Sequence, residues 1–112
     1  MMPKALGSAS IRPVILSILA RQDSYGYEMI KIARDLSDGS LDLQPGVLYP
    51  ILRRFENEGL ITSYWLQNEG ERKRRYYRLT TSGKSALEVE KREWLRMHEA
   101  FTRLWSPAPY LT

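Results

Sequence analysis

Two stretches decide the fold: Leu48-Tyr-Pro-Ile-Leu-Arg-Arg-Phe-Glu-Asn-Glu-Gly-Leu-Ile61 and Tyr76-Tyr-Arg-Leu-Thr-Thr-Ser-Gly83. In the first, Val47/Leu48, Ile51, Leu52 and Phe55 recur at three and four residues, the spacing of a helix with one buried face. Pro45 suits the first turn of that helix, where a missing N–H is no loss. A helix is therefore predicted from Pro45 to Asn57. Glu58-Gly59 stops it, with Gly59 as a left-handed cap. Leu60, Ile61, Ser63 and Trp65 then begin a strand, with Thr62 and Tyr64 on its other face. Gln67-Asn-Glu-Gly-Glu-Arg72 reads as a turn, and Tyr76–Leu79 returns antiparallel. Thr80 or Thr81 starts a last helix predicted to reach Trp105, where Ser106-Pro-Ala-Pro109 ends it because neither proline continues the ladder.

Upstream, Val14, Ile15, Ile18 and Leu19 form an apolar stripe on a helix predicted over Ser10–Ala20, with Pro13 near its first turn. Gln22-Asp-Ser-Tyr25 is a polar break, and Asp23 or Ser24 is placed to cap a second helix from Tyr25 to Leu36. Its apolar positions are Tyr25, Met29, Ile32, Ala33 and Leu36. Ser37-Asp-Gly-Ser40 ends it, and Leu41–Gln44 is short and extended. The order is helix, helix, helix, strand, turn, strand, long helix. That is an α+β chain, mostly α: a winged helix-turn-helix domain of three helices plus a β-hairpin wing, expected over residues 1–83. A C-terminal helix and tail follow over 84–112. No internal repeat or linker interrupts it.

The 112 residues suit one domain with a modest core, and a hydrophobic fraction of 43% is too high for a disordered chain. The longest apolar run, Val14–Ala20, is broken by Ser17 and falls well short of the roughly 18 residues a membrane span needs. The opening residues carry no long apolar segment to act as a secretion signal. The absence of cysteine excludes disulfides and thiolate metal sites. A cytoplasmic protein that needs no cofactor and no metal is expected.

The net charge is +4, and its placement matters more than its size. Arg72, Lys73, Arg74, Arg75 and Arg78 fall within seven residues, beside Glu71, between two strand-like segments. A clustered basic patch is the electrostatic footprint of phosphate binding, although a solvated turn has the same composition. In a helix-turn-helix, the second helix of the pair enters the major groove and its N-terminal residues meet base edges. Here the exposed early positions are Gln44, Pro45, Gly46, Tyr49 and Pro50, with Arg53 one turn later. Gln pairs bidentately with adenine, and Arg pairs with guanine or contacts phosphate. Gly46 lets the backbone approach the sugar-phosphate chain. Against this, Tyr49 has the character of a core aromatic and Arg53 that of a surface ion-pair partner. Arg72–Arg75, expected at the wing tip, suit a phosphate backbone or a minor groove.

Tyr25-Gly-Tyr-Glu28, Pro45–Ile61 and Arg74-Arg-Tyr-Tyr-Arg-Leu-Thr-Thr-Ser-Gly83 together resemble the PadR family of transcriptional regulators. The motifs cover roughly Val14 to Gly83. The resemblance implies a winged-helix domain and a C-terminal helix that makes a homodimer. It also implies repression through double-stranded DNA at a palindromic operator, often relieved by phenolic compounds, drugs or other stress molecules. The short C-terminal region resembles the small subgroup with a single terminal helix. Two departures stand out. The wing turn is Asn68-Glu-Gly-Glu-Arg72 where a Gly-Pro-type turn is common, and Phe55 stands where Leu is usual.

On the last helix Leu87, Trp94, Met97, Phe101 and Leu104 fall on a heptad seam, with Glu90 as the polar exception. A helix on so small a domain hides this stripe by pairing with a second copy, or else by packing back on its own domain. In small PadR members a Trp at the place of Trp94 lines a cavity on the dimer axis and stacks with flat aromatic ligands. The resemblance therefore implies a planar aromatic effector beside Trp94, unless Trp94 fills a closed interface. Ser10, Pro13 and Ser17 form a non-bulky stripe suited to wall the same cavity, and His98, one turn on, sits near its rim or on the surface. Two other functions remain to be weighed. A winged-helix module for a protein partner would need an acidic partner for the basic wing. An enzyme lacks support, since one histidine and no cysteine, glycine-rich phosphate loop or paired carboxylates make no catalytic constellation.

Overall fold

A computed structural model describes residues 4–107, with side chains described from Ser10 onward. The elements are α1 (Lys4–Arg21), β1 (Ser24–Tyr25), α2 (Gly26–Leu36), α3 (Pro45–Asn57), β2 (Ile61–Leu66), β3 (Arg74–Leu79) and α4 (Thr81–Leu104). The strands form one antiparallel sheet in the order β1-β3-β2. The predicted winged helix-turn-helix and its long last helix are both present.

Several boundaries differ from the sequence reading, α2 and β2 by one residue at their starts, Gly26 for Tyr25 and Ile61 for Leu60. α1 begins at Lys4, so Pro13 lies inside the helix and removes one i→i−4 hydrogen bond there. Lys4 to Ala9 include helix formers and no proline, so the helix extends back past the point where the apolar stripe fades. The polar break before α2 contains a strand, β1, whose Ser24 and Tyr25 pair with Tyr77 and Tyr76. Two residues are too few to show a period, and Ser24 is fully buried by the sheet rather than capping a helix. β3 starts at Arg74, opposite Leu66, so Arg74 and Arg75 belong to a strand rather than to the wing tip. Lastly, α4 ends at Leu104 with Trp105 as its C-cap, and the predicted proline stop extends to residues outside those described.

The core lies where α1, α2, α3, the sheet and the start of α4 meet. Ile15, Leu16, Met29, Leu48, Leu52 and Phe55 are fully buried, joined by Ile61, Tyr77, Leu79 and Leu87. On α2 the buried face runs through Gly26, Met29, Ile30 and Ala33, while Leu36 stays exposed. On α3 Leu48 takes the core position and Val47 the solvent. The end of α3 is a Schellman turn: the Leu60 N–H reaches the Phe55 carbonyl (2.9 Å), the Gly59 N–H reaches Glu56 (3.1 Å), and Gly59 has φ of 76°.

Thr80 joins that turn to α4. Its hydroxyl donates to the Gly59 carbonyl (2.7 Å) and accepts from the Gly83 N–H (3.0 Å), while its own N–H reaches Leu60 (3.0 Å). Arg12 adds a second tie, meeting Glu90 on α4 (3.3 Å) and Glu58 beyond α3 (3.7 Å) above the Phe55 ring. The first turns of α4 are thus part of the domain, and the division expected at residue 83 falls inside the helix. From Lys91 onward every described residue of α4 is exposed. No helix among the described residues is long and apolar enough to cross a membrane.

Candidate nucleic-acid interface

α3 presents its N-terminus to solvent. Leu43 is buried and anchors the approach, so Gln44, Pro45 and Gly46 are held out. Gln44 is the N-cap, its carbonyl accepting from Val47 and Leu48, but its side chain makes no cap bond. The Gln44 amide donates instead to Asp42 (2.9 Å), which orients it away from the helix end.

Tyr49 is neither wholly core nor wholly surface. Its hydroxyl lies against Gly26, where a Cβ would overlap it, while the residue keeps 37% of its surface exposed. Burial pushes the Tyr49 phenol above its ordinary pKa, with Tyr27 adding to the effect, so Tyr49 stays a neutral hydrogen-bond donor. Arg53, one turn on, is exposed and has no ion pair among the described residues.

The wing cations divide into two kinds. Arg72 and Lys73 lie in the turn, free of ion pairs among the described residues, with Lys73 Nζ 5.9 Å above the Trp65 ring. Arg74 meets Glu71 (3.4 Å) and lies over Tyr25 (4.4 Å). Arg75 turns toward α3 and pairs with Glu56 (3.0 Å). The sequence makes these four look alike. Strand alternation separates Arg74 from Arg75 by sending them to opposite faces.

A cleft of about 410 Å³ between the wing and the starts of α2 and α3 is lined by Tyr27, Tyr49, Trp65 and Arg72, Lys73, Arg74 and Arg75. Beside it a second cleft, of about 400 Å³, is lined by Tyr49, Arg53, Glu56, Asn57, Arg75 and Tyr77. Tyr49, Arg75 and Tyr77 border both. A third depression reaches Gln44 and Pro45 and shares Tyr27 with the first. The expected contacts, apart from Gly46 and Pro50, therefore border one chain of clefts.

Sequence reasoning missed Tyr27, Trp65 and Glu56 at this site. Tyr27 could have been found, since it sits one residue past Gly26 on the exposed side of α2. Glu56 could not, because its partner lies 19 residues away. Asp23 was also misread. It accepts from the Tyr64 hydroxyl (2.7 Å) and pairs with Arg78 (3.1 Å) instead of capping α2. That hydrogen bond holds the Tyr64 phenol above its ordinary pKa. The same face carries a row of rings, with Tyr76 edge-on to Tyr25 and stacked on Tyr64.

The residues expected around an effector meet elsewhere. A groove of about 450 Å³ between α1, α2 and α4 is lined by Ser10, Pro13, Ser17 and Trp94 together with Val14, Ile18, Ile32 and Leu36. His98 is exposed and does not line it. Among the expected seam residues, Leu87 packs in its own domain's core, whereas Trp94, Met97, Phe101 and Leu104 are exposed. Among the described residues no group of three or more metal-ligating side chains could hold an ion.

The Transcriptional regulator PadR-like family matches residues 15–89. The transcriptional regulator YqjI of Escherichia coli is 42% identical over 93 residues, 83% of this chain but only 42% of that protein's length. The chain thus spans less than half of that relative. Among solved structures, a transcriptional regulator from Clostridium thermocellum superposes with a TM-score of 0.84 at 27% identity, covering 95% of this chain and all of the other. A PadR family transcription regulator from Clostridium difficile gives 0.75 at 38% identity, covering 86% and 98%. The wing, the exposed start of α3 and the long α4 are parts of one known design, and the chain belongs to the PadR-like family of transcriptional regulators.

Proposed function

We propose that the chain acts as a homodimeric repressor that binds a palindromic DNA operator and releases it when a planar aromatic molecule binds beside Trp94. The observation that carries the DNA reading is the continuity of the clefts from Gln44 and Tyr49 through Arg53 to Arg72–Arg75. The start of α3 supplies base readout, and the wing supplies phosphate contacts. Dimerisation is supported by the stripe Trp94, Met97, Phe101 and Leu104, exposed on a helix that leaves its own domain. A large exposed apolar stripe of this kind marks an interface.

The charge pattern supports Arg72 and Lys73 as the wing cations that matter most. Arg72 and Lys73 have no internal counter-ion among the described residues, so DNA phosphates meet them without competition. Arg72→Ala/Lys73→Ala is expected to lower affinity for all duplexes alike and to flatten the plot of log K against log salt by about 2 per protomer. Mobility shift or fluorescence anisotropy on the protein's own upstream DNA measures both. An unchanged slope would take the wing off the DNA and favour a protein partner instead.

Effector binding is supported by the groove that joins Ser10, Pro13, Ser17 and Trp94, apolar in lining and large enough for a fused-ring molecule. Planar aromatic compounds are expected to quench Trp94 emission and weaken operator binding in parallel. The reference is a Trp65→Phe/Trp105→Phe protein, in which Trp94 is the remaining tryptophan. Quenching without loss of DNA binding would separate the pocket from regulation.

A further inference from the structure

The cleft between α3 and the wing contains a carboxylate where an anion-binding surface has no use for one. Glu56 lies at the end of α3, its side chain 26% exposed. Arg75 Nη2 donates to both of its oxygens, at 3.0 and 3.2 Å. Arg75 Nε donates to the Ser63 hydroxyl (3.0 Å), and that hydroxyl donates back to Glu56 Oε2 (2.7 Å). The three side chains close a ring across three elements, α3, β2 and β3.

The geometry points to a new role for Glu56: we propose that it is an internal counter-ion that occupies the Arg75 guanidinium edge a DNA backbone phosphate would take, and so limits affinity for DNA. This rests on the DNA-binding reading above. Three observations support it. Arg75 and Arg53 line the same cleft, so an anion entering it meets two cations and one carboxylate. Arg53 has no counter-ion of its own among the described residues, so the carboxylate is committed to Arg75. The ring also fits the chemistry of exchange. A guanidinium N–H donates to a phosphate oxygen as it does to a carboxylate oxygen, and here Nη2 is the Arg75 nitrogen that meets Glu56. A phosphate oxygen can replace Glu56 on Nη2 while Ser63 continues to hold Nε, so Arg75 stays aimed into the cleft.

The device has a consequence for specificity. Non-specific complexes rest almost wholly on phosphate contacts. Reducing one such contact per protomer weakens them while leaving base readout at the start of α3 untouched. Glu56 thus sets a ceiling on adhesion to arbitrary DNA and leaves discrimination to Gln44, Tyr49 and their neighbours.

The test is Glu56→Gln, which keeps a hydrogen-bonding partner for Ser63 and removes the charge. Binding of the full chain to an operator duplex and to a scrambled duplex of equal length is measured across a salt series, alongside Arg75→Ala and the double variant. Wild-type protein with salt-dependent duplex binding establishes the underlying DNA reading on its own, and its absence would sink that reading rather than this one. The expected result is that Glu56→Gln binds both duplexes about two- to fivefold more tightly at low salt, the scale of one partly exposed ion pair. Its salt slope steepens by about 0.9 per protomer. In the Arg75→Ala background the same substitution changes neither quantity. An unchanged slope in Glu56→Gln, or an equal gain in the Arg75→Ala background, would overturn the proposal. So would weaker binding with an unaltered slope and a lowered melting temperature, which would make the ring a structural brace.

Discussion

Gly83→Ala is expected to lower the melting temperature by about 5–20 °C, although alanine is the better helix former. Gly83 is the third residue of α4 and is buried. A Cβ there would overlap the carbonyl oxygen of Leu60 and the side chain of Leu79. The Leu60 oxygen cannot simply give way, because it accepts the Thr80 N–H. α4 must therefore back off, which strains the Thr80 cap and its bond to Gly59. Overpacking a tight contact costs about 1–3 kcal/mol, and a lost N-cap adds about 1 kcal/mol. Helix propensity alone would give a gain of roughly 1 kcal/mol, so the sign of the change decides. Thermal unfolding followed at the helical dichroism band measures it, and an equal or higher midpoint would show that the start of α4 has room to spare.

Phe101→Glu/Leu104→Glu is expected to yield a folded monomer with operator affinity reduced by about 100-fold or more. Phe101 stacks on Trp105 (5.4 Å between centroids), and Leu104 is 75% exposed. Neither touches the core, so the isolated domain should keep its fold and its melting transition. What would be lost is the link between the two DNA-reading units of the proposed homodimer, whose effective concentration multiplies affinity by about 10² to 10⁴. Sedimentation velocity and anisotropy on the full operator measure the two effects together. A dimer that survives both charges would place the interface elsewhere, with α1 as the next surface to test.

How much of this was legible in the sequence follows from the kind of signal each element carries. α3 was read to its exact ends because a proline opens it, a glycine closes it and the buried positions keep a helical period between them. α4 was legible at its start from Thr80, and its end, expected at Trp105, lies one residue earlier at Leu104. β1 was not, since two residues cannot show an alternation and their pairing depends on Tyr76 and Tyr77, some fifty residues on. The start of α1 was missed because helix continuation needs no apolar stripe. At the candidate DNA-facing site, residue types were visible but pairings were not. Arg72 to Arg75 read as four equal charges, and only the fold shows that Glu71 and Glu56 each hold one of them. Leu87 fits a heptad seam by spacing, yet α4 leaves the core only after that residue, a point no periodicity marks.

Thr80 makes the molecule a lever with very little slack. One side chain bolts the closing turn of α3 to the first turn of the arm that carries Trp94. An arm of 24 residues is roughly 36 Å long, so a tilt of about 5° about that bolt moves its far end by about 3 Å. Read in reverse, in the proposed homodimer a small displacement forced on the two arms would become a rotation of the domains that carry them. Two domains held in register on an operator, as proposed, would need only such a rotation to fall out of step with successive turns of a duplex.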